Sequence, residues 1–147
     1  MDQERIKEAR QKALAILLYR DRTEFELKEK LAKYGFEEEY IDDAIEYVRS
    51  FHYIDDERYA RNFIEVAKRT KSMRRIEQDL KKRGIEGELL DLMMEEYEGD
   101  EEALNYCLAK KLQGKLIEEL EFKEKNKVMA FLMRKGFVSS DVYRLFR

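Results

Sequence analysis

The chain has 147 residues and a formal charge of −3; 43% of it is Asp, Glu, Lys or Arg, with no proline and only six glycines. That composition suits solvated helices far better than strands joined by turns. It leaves no apolar run long enough to span a bilayer, and its one cysteine, Cys107, cannot form an internal disulfide.

A first helix is predicted from about residue 2 to residue 19, with Ala13, Leu14, Leu17 and Leu18 on its inner side. The charged start lacks the apolar core of a secretory signal, and with the lone cysteine it points to a cytoplasmic protein. Thr23 reads as an N-cap, and Glu26 three residues later completes a capping box. The helix it opens carries Leu27 and Leu31 and stops at Gly35, a residue suited to the left-handed position past a helix end. A third helix follows from about residue 38 to 49, and Ser50, Phe51, His52 and Tyr53 form a junction.

Asp55 caps the next helix, with Ile54 before it and Tyr59 placed to close over it as a hydrophobic staple. That helix holds Ala60, Phe63, Ile64 and Ala67. Ser72 caps its successor, which ends at Gly84, and a further helix runs to about residue 97. Gly99 and Asp100 read as stop and start. From Leu104 to Leu120 two readings stand: Gly114 lies inside one long helix, or it ends a shorter one. The last two helices flank Gly136 and reach Arg147.

One pattern is written three times. Leu27, Leu31, Gly35 and Phe36 are answered 49 residues on by Ile76, Leu80, Gly84 and Ile85, and after another 52 by Val128, Leu132, Gly136 and Phe137. Ile41, Ile45 and Val48 correspond in turn to Leu90, Met94 and Tyr97, then to Val142 and Phe146. A helical period near 50 marks a tandem array, not one mixed globule. The expected fold is all-α: three tandem three-helix repeats over residues 1–50, 51–98 and 99–147, neighbours sharing apolar surface.

These residues carry a family resemblance. The run Ile54-Asp55-Asp56-Glu57-Arg58-Tyr59-Ala60, followed by Arg74-Arg75-Ile76, Leu80 and Arg83-Gly84-Ile85, resembles the RecX regulators of bacterial recombination. So do Arg20-Asp21-Arg22-Thr23 with Leu27, Leu31 and Gly35-Phe36, and Phe131-Leu132-Met133-Arg134-Lys135-Gly136-Phe137. Only the joining segment from Lys111 to Lys125 departs from the family's usual run. The resemblance implies an elongated, curved array of three-helix repeats. It implies a monomer whose partner is the RecA recombinase filament on single-stranded DNA, with double-stranded DNA as a further partner. It implies a regulator that inhibits strand exchange and RecA-supported cleavage by limiting filament growth or promoting disassembly. No cofactor is implied.

The strongest electrostatic feature runs from Lys68 to Arg83, with eight basic residues against Glu77 and Asp79. At about 100° per residue, with Ile76 and Leu80 inward, Arg74, Arg75, Lys81 and Lys82 project together on the opposite side. Lys71, Arg74, Arg75, Lys81, Lys82 and Arg83 are the candidate face for RecA or DNA; the plain alternative is a solvated helix surface. Downstream the sign reverses, with nine acids and no base from Glu86 to Glu102. The plain reading of that run is solvation with acidic helix starts; the alternative is an acidic ridge that meets basic RecA surface or competes with DNA for it. Phe36, Phe63, Tyr97, Phe137 and Phe146 occupy core-spaced positions, and Tyr34, Tyr53 and Tyr106 stay unassigned.

Catalysis finds little support. His52 sits in a junction and Cys107 on an apolar helix stripe, with no triad, metal-ligand spacing or phosphate-cradling glycine loop around either. Two other functions fit a helical array. A DNA-binding protein of helix-turn-helix type needs a basic recognition helix, yet the helices after Gly35 and Gly84 are acidic and would repel a major groove. A scaffold would use the array without RecA.

Overall fold

A computed structural model describes residues 1–147. It contains nine α-helices and no strand: α1 (Gln3–Tyr19), α2 (Glu24–Lys33), α3 (Glu38–Ser50), α4 (Asp56–Ala67), α5 (Met73–Lys82), α6 (Gly87–Glu95), α7 (Glu101–Leu112), α8 (Phe122–Arg134) and α9 (Ser139–Leu145), with a 3₁₀ turn at Ile117–Glu119. No helix is long and apolar enough to cross a membrane.

The helix ends follow the local chemistry. Thr23 accepts from the Glu26 amide at 3.1 Å, and the Glu26 carboxylate accepts from the Thr23 amide at 3.0 Å, closing the capping box. Asp55 caps α4 through the Arg58 amide at 3.1 Å, and Ser72 caps α5 through the Arg75 amide at 3.2 Å. Each repeated glycine ends a helix the same way. Phe36, Ile85 and Phe137 donate their amides to the carbonyls of Leu31, Leu80 and Leu132, five residues back, at 3.3, 3.0 and 3.3 Å. The chain turns at a left-handed residue in every case, as in a Schellman cap.

Two compact units form. The first comprises Met1–Asn62 with Leu80–Leu89, the second Phe63–Asp79 with Leu90–Arg147. In the first, α1 packs on α3 and α2 around Ala9, Ala13, Ile16, Leu27, Leu31, Ala44, Ile45 and Val48. Fully buried alanines on both α1 and α3 let the two backbones approach closely. In the second, α8 packs against α7 and α9 around Leu104, Cys107, Leu108, Val128, Leu132, Phe137 and Val142.

Two local expectations change, and the open choice at Gly114 is resolved. The inner line of α1 is Ala9, Ala13 and Ile16, with Leu14 and Leu17 half-buried and Leu18 90% exposed. Leu18 stands five residues past Ala13 and so falls off the 3.6-residue stripe. Helix α6 stops at Glu95, short of Tyr97. Gly114 ends a shorter helix, because Gln113 already takes the left-handed conformation at φ 51° after Leu112.

Candidate functional site

Helix α5 carries the candidate basic face, and its N-terminus is held from outside. The Ser72 hydroxyl, besides capping α5, donates to the Lys135 carbonyl at 2.9 Å, beside Gly136 in the turn after α8. The Met73 amide donates to the Asp100 carboxylate at 2.8 Å. The first unit repeats the arrangement on α2. There the Thr23 hydroxyl donates to the Arg83 carbonyl at 2.6 Å, beside Gly84, and the Glu24 amide donates to Asp56 at 2.9 Å. An N-cap hydroxyl and a distant aspartate thus tie the start of a helix to the following repeat, within each unit.

Charge on α5 runs against its dipole at one end. Lys81 and Lys82 in the last turn complement the C-terminal partial charge, but Arg74 and Arg75 stand in the first turn, where no acid is present. Asp100, arriving from another segment, is the local counter-charge. Cations at a helix N-terminus weaken local consistency, and such departures from consistency concentrate at functional surfaces.

The six candidate residues are not equivalent. Lys71 and Arg75 share Asp79, at 3.2 and 3.4 Å, and the Asp79 side chain is only 14% exposed. Arg83 turns away from the others to donate to the Tyr59 hydroxyl at 2.7 Å and to pair with Glu26 at 3.7 Å. Lys81 is also engaged by a neighbour. Arg74 and Lys82 are exposed and form no salt bridge, so they hold the cationic charge most available to a partner.

Spacing alone did not single out two aspartates. Asp100 and Asp56 each have a pKa raised above the usual range, first because burial penalises the charge, then offset in part by the amide each accepts. The Tyr97 hydroxyl is pushed up to about 12, by burial first and then by the charge of Asp100; it lies buried near that carboxylate without completing a hydrogen bond of good geometry. Cys107 is buried, donates to the Thr70 carbonyl at 3.4 Å and has a raised pKa from desolvation, which suppresses thiolate reactivity. His52 occupies an exposed turn at φ 60°.

Tandem three-helix domains joined through capping interactions, with a cationic helix in the middle domain, define a modular all-helical class. Within that class, models for the first, second and third three-helix domains of RecX match residues 9–47, 55–94 and 99–146. The chain belongs to the RecX family of regulatory proteins. It is 30% identical over 146 residues to regulatory protein RecX of Chlorobium limicola, covering 95% of this chain and 91% of that one. Regulatory protein RecX of Vibrio campbellii is 32% identical over 131 residues, covering 88% and 83%. The Clostridium perfringens relative is 34% identical over 119 residues, 79% of this chain but 56% of that longer protein. The crystal structure of RecX from Lactobacillus salivarius superposes with a TM-score of 0.80 at 25% identity, covering 97% of this chain and 94% of that one.

Proposed function

We propose that the chain is a non-enzymatic regulator that binds the RecA filament on single-stranded DNA and restrains it, by limiting growth or favouring disassembly. The observation that carries this reading is the occurrence of all three RecX domains, in order, along one chain. A filament repeats its surface along an axis, and tandem domains can engage successive protomers through many weak contacts that add in avidity. Arg74 and Lys82 on α5 are the side chains proposed to meet phosphate or an acidic filament surface, with Lys71, Arg75, Lys81 and Arg83 supporting the local potential.

The test adds the purified chain to RecA on single-stranded DNA and follows ATP hydrolysis, with binding to naked DNA measured in parallel. The expected outcome is a dose-dependent fall in hydrolysis that Arg74→Ala with Lys82→Ala largely relieves. Both positions are exposed, so melting should move by no more than about 0.5 kcal/mol. An unaltered RecA reaction beside tight duplex binding would favour the helix-turn-helix reading; no effect on either would favour a scaffold.

A further inference from the structure

We infer that the cleft between α1 and α2 binds a nucleotide, its phosphate held by Lys12, Arg22 and Lys30 and its base laid against Tyr19. The cleft lies wholly within the first unit and encloses about 270 Å³, just under the roughly 300–1,000 Å³ typical of small-molecule sites. Three cations line it and no carboxylate does. Lys12, Arg22 and Lys30 form no salt bridge, and no acid within the hollow offsets them. Their convergence on one hollow gives a local positive potential suited to an anion.

Arg22 supplies a second, independent sign. Its Nε is buried and has no hydrogen-bond partner. An orphaned buried donor is costly and rare, and one beside a cleft marks the place of a missing acceptor. Guanidinium geometry suits a phosphate, which accepts two parallel N–H bonds. Lys12 is already oriented, its Nζ 3.8 Å from the centre of the Tyr34 ring. At the rim, Tyr19 is 84% exposed and makes no ring contact. An aromatic ring beside a phosphate cradle is the arrangement that stacks a base, which separates a nucleotide from a simple carboxylate. The inference does not depend on the reading of α5, since none of its residues lies on that helix.

Free nucleotides and nucleotides within a single strand offer the same chemistry. Calorimetric titration of the full chain with ATP, pentathymidylate, inorganic phosphate and polyglutamate distinguishes them. ATP or pentathymidylate should bind saturably at one site per chain, and whichever binds tighter names the source. Lys12→Gln with Lys30→Gln should weaken that binding about tenfold or more, because both charges act on one phosphate. Tyr19→Ala should weaken the base-bearing probes and leave inorganic phosphate unchanged. Arg74→Ala with Lys82→Ala should leave all of it intact, so failure here and failure of the proposed function are told apart. Absence of saturable binding, binding indifferent to the two lysines, or equal affinity for inorganic phosphate or polyglutamate would overturn the inference.

Discussion

An added Cβ at Gly84 would lie 2.2 Å from the Cβ of Phe25, whereas one at Gly35 would meet nothing within 4 Å. Both residues have positive φ, 84° and 90°, so alanine strains the backbone at either. Only at Gly84 does it also collide with another helix. Gly35→Ala should therefore cost about 1–2 kcal/mol and Gly84→Ala about 3 kcal/mol or more, read from denaturant unfolding midpoints. Equal losses would mean that the approach of Phe25 is not confining. Asp100 makes a second residue-scale case. Its raised pKa means the native state holds a proton that the unfolded chain has released, so its contribution to stability falls as pH rises from about 4 through its folded value. Asn at this position keeps an acceptor for the Met73 amide without a charge to desolvate. The stability difference, Asp100→Asn minus the parent, should accordingly grow between about pH 4 and neutrality. A flat difference would remove the buried-charge account. In sequence, Gly84 was legible as a helix stop, but its closeness to Phe25 was not, because that packing joins residues 59 apart.

At the level of elements, the caps show what local pattern reveals and what it omits. Thr23 and Ser72 were readable as N-caps because the residues they serve stand three positions on. Their second bonds, from the hydroxyl to the Arg83 and Lys135 carbonyls, span 60 and 63 residues and leave no trace in any short window. Ser72→Ala removes an acceptor from α5 and a donor from the turn at Gly136. The loss should reach about 2–3 kcal/mol, more than a cap alone, while Ser72→Thr should restore most of it; thermal unfolding of both variants decides. In sequence Asp100 marks the start of α7, and it does precede that helix, yet its carboxylate serves α5 instead. The candidate face suffered likewise. Helical spacing placed Arg74, Arg75, Lys81 and Lys82 on one side, but could not show that Asp79 binds Lys71 and Arg75 or that Arg83 turns to Tyr59.

For the molecule as a whole, the threefold pattern announced the helix content and its grouping, because each glycine turn repeats the same backbone chemistry. The division into two compact units was hidden, since it cuts within α4, α5 and α6 rather than at the repeat junctions. Salt offers a measure of the proposed face in binding to the RecA–DNA filament. If Arg74 and Lys82 each neutralise a phosphate of the single strand, replacing both with Ala should make the slope of log affinity against log salt shallower by about 1.4. The bonds from Thr23 and Ser72 also have a direction: a hydroxyl gives its proton forward to the carbonyl of a later turn. The cap position before α8 is held by Glu121, a carboxylate in place of a hydroxyl. The three modules are therefore not interchangeable bricks. A duplicated middle module could relay the link onward, but a duplicated third could not, so any permuted or lengthened version must respect an order written in one hydroxyl on each of the first two modules.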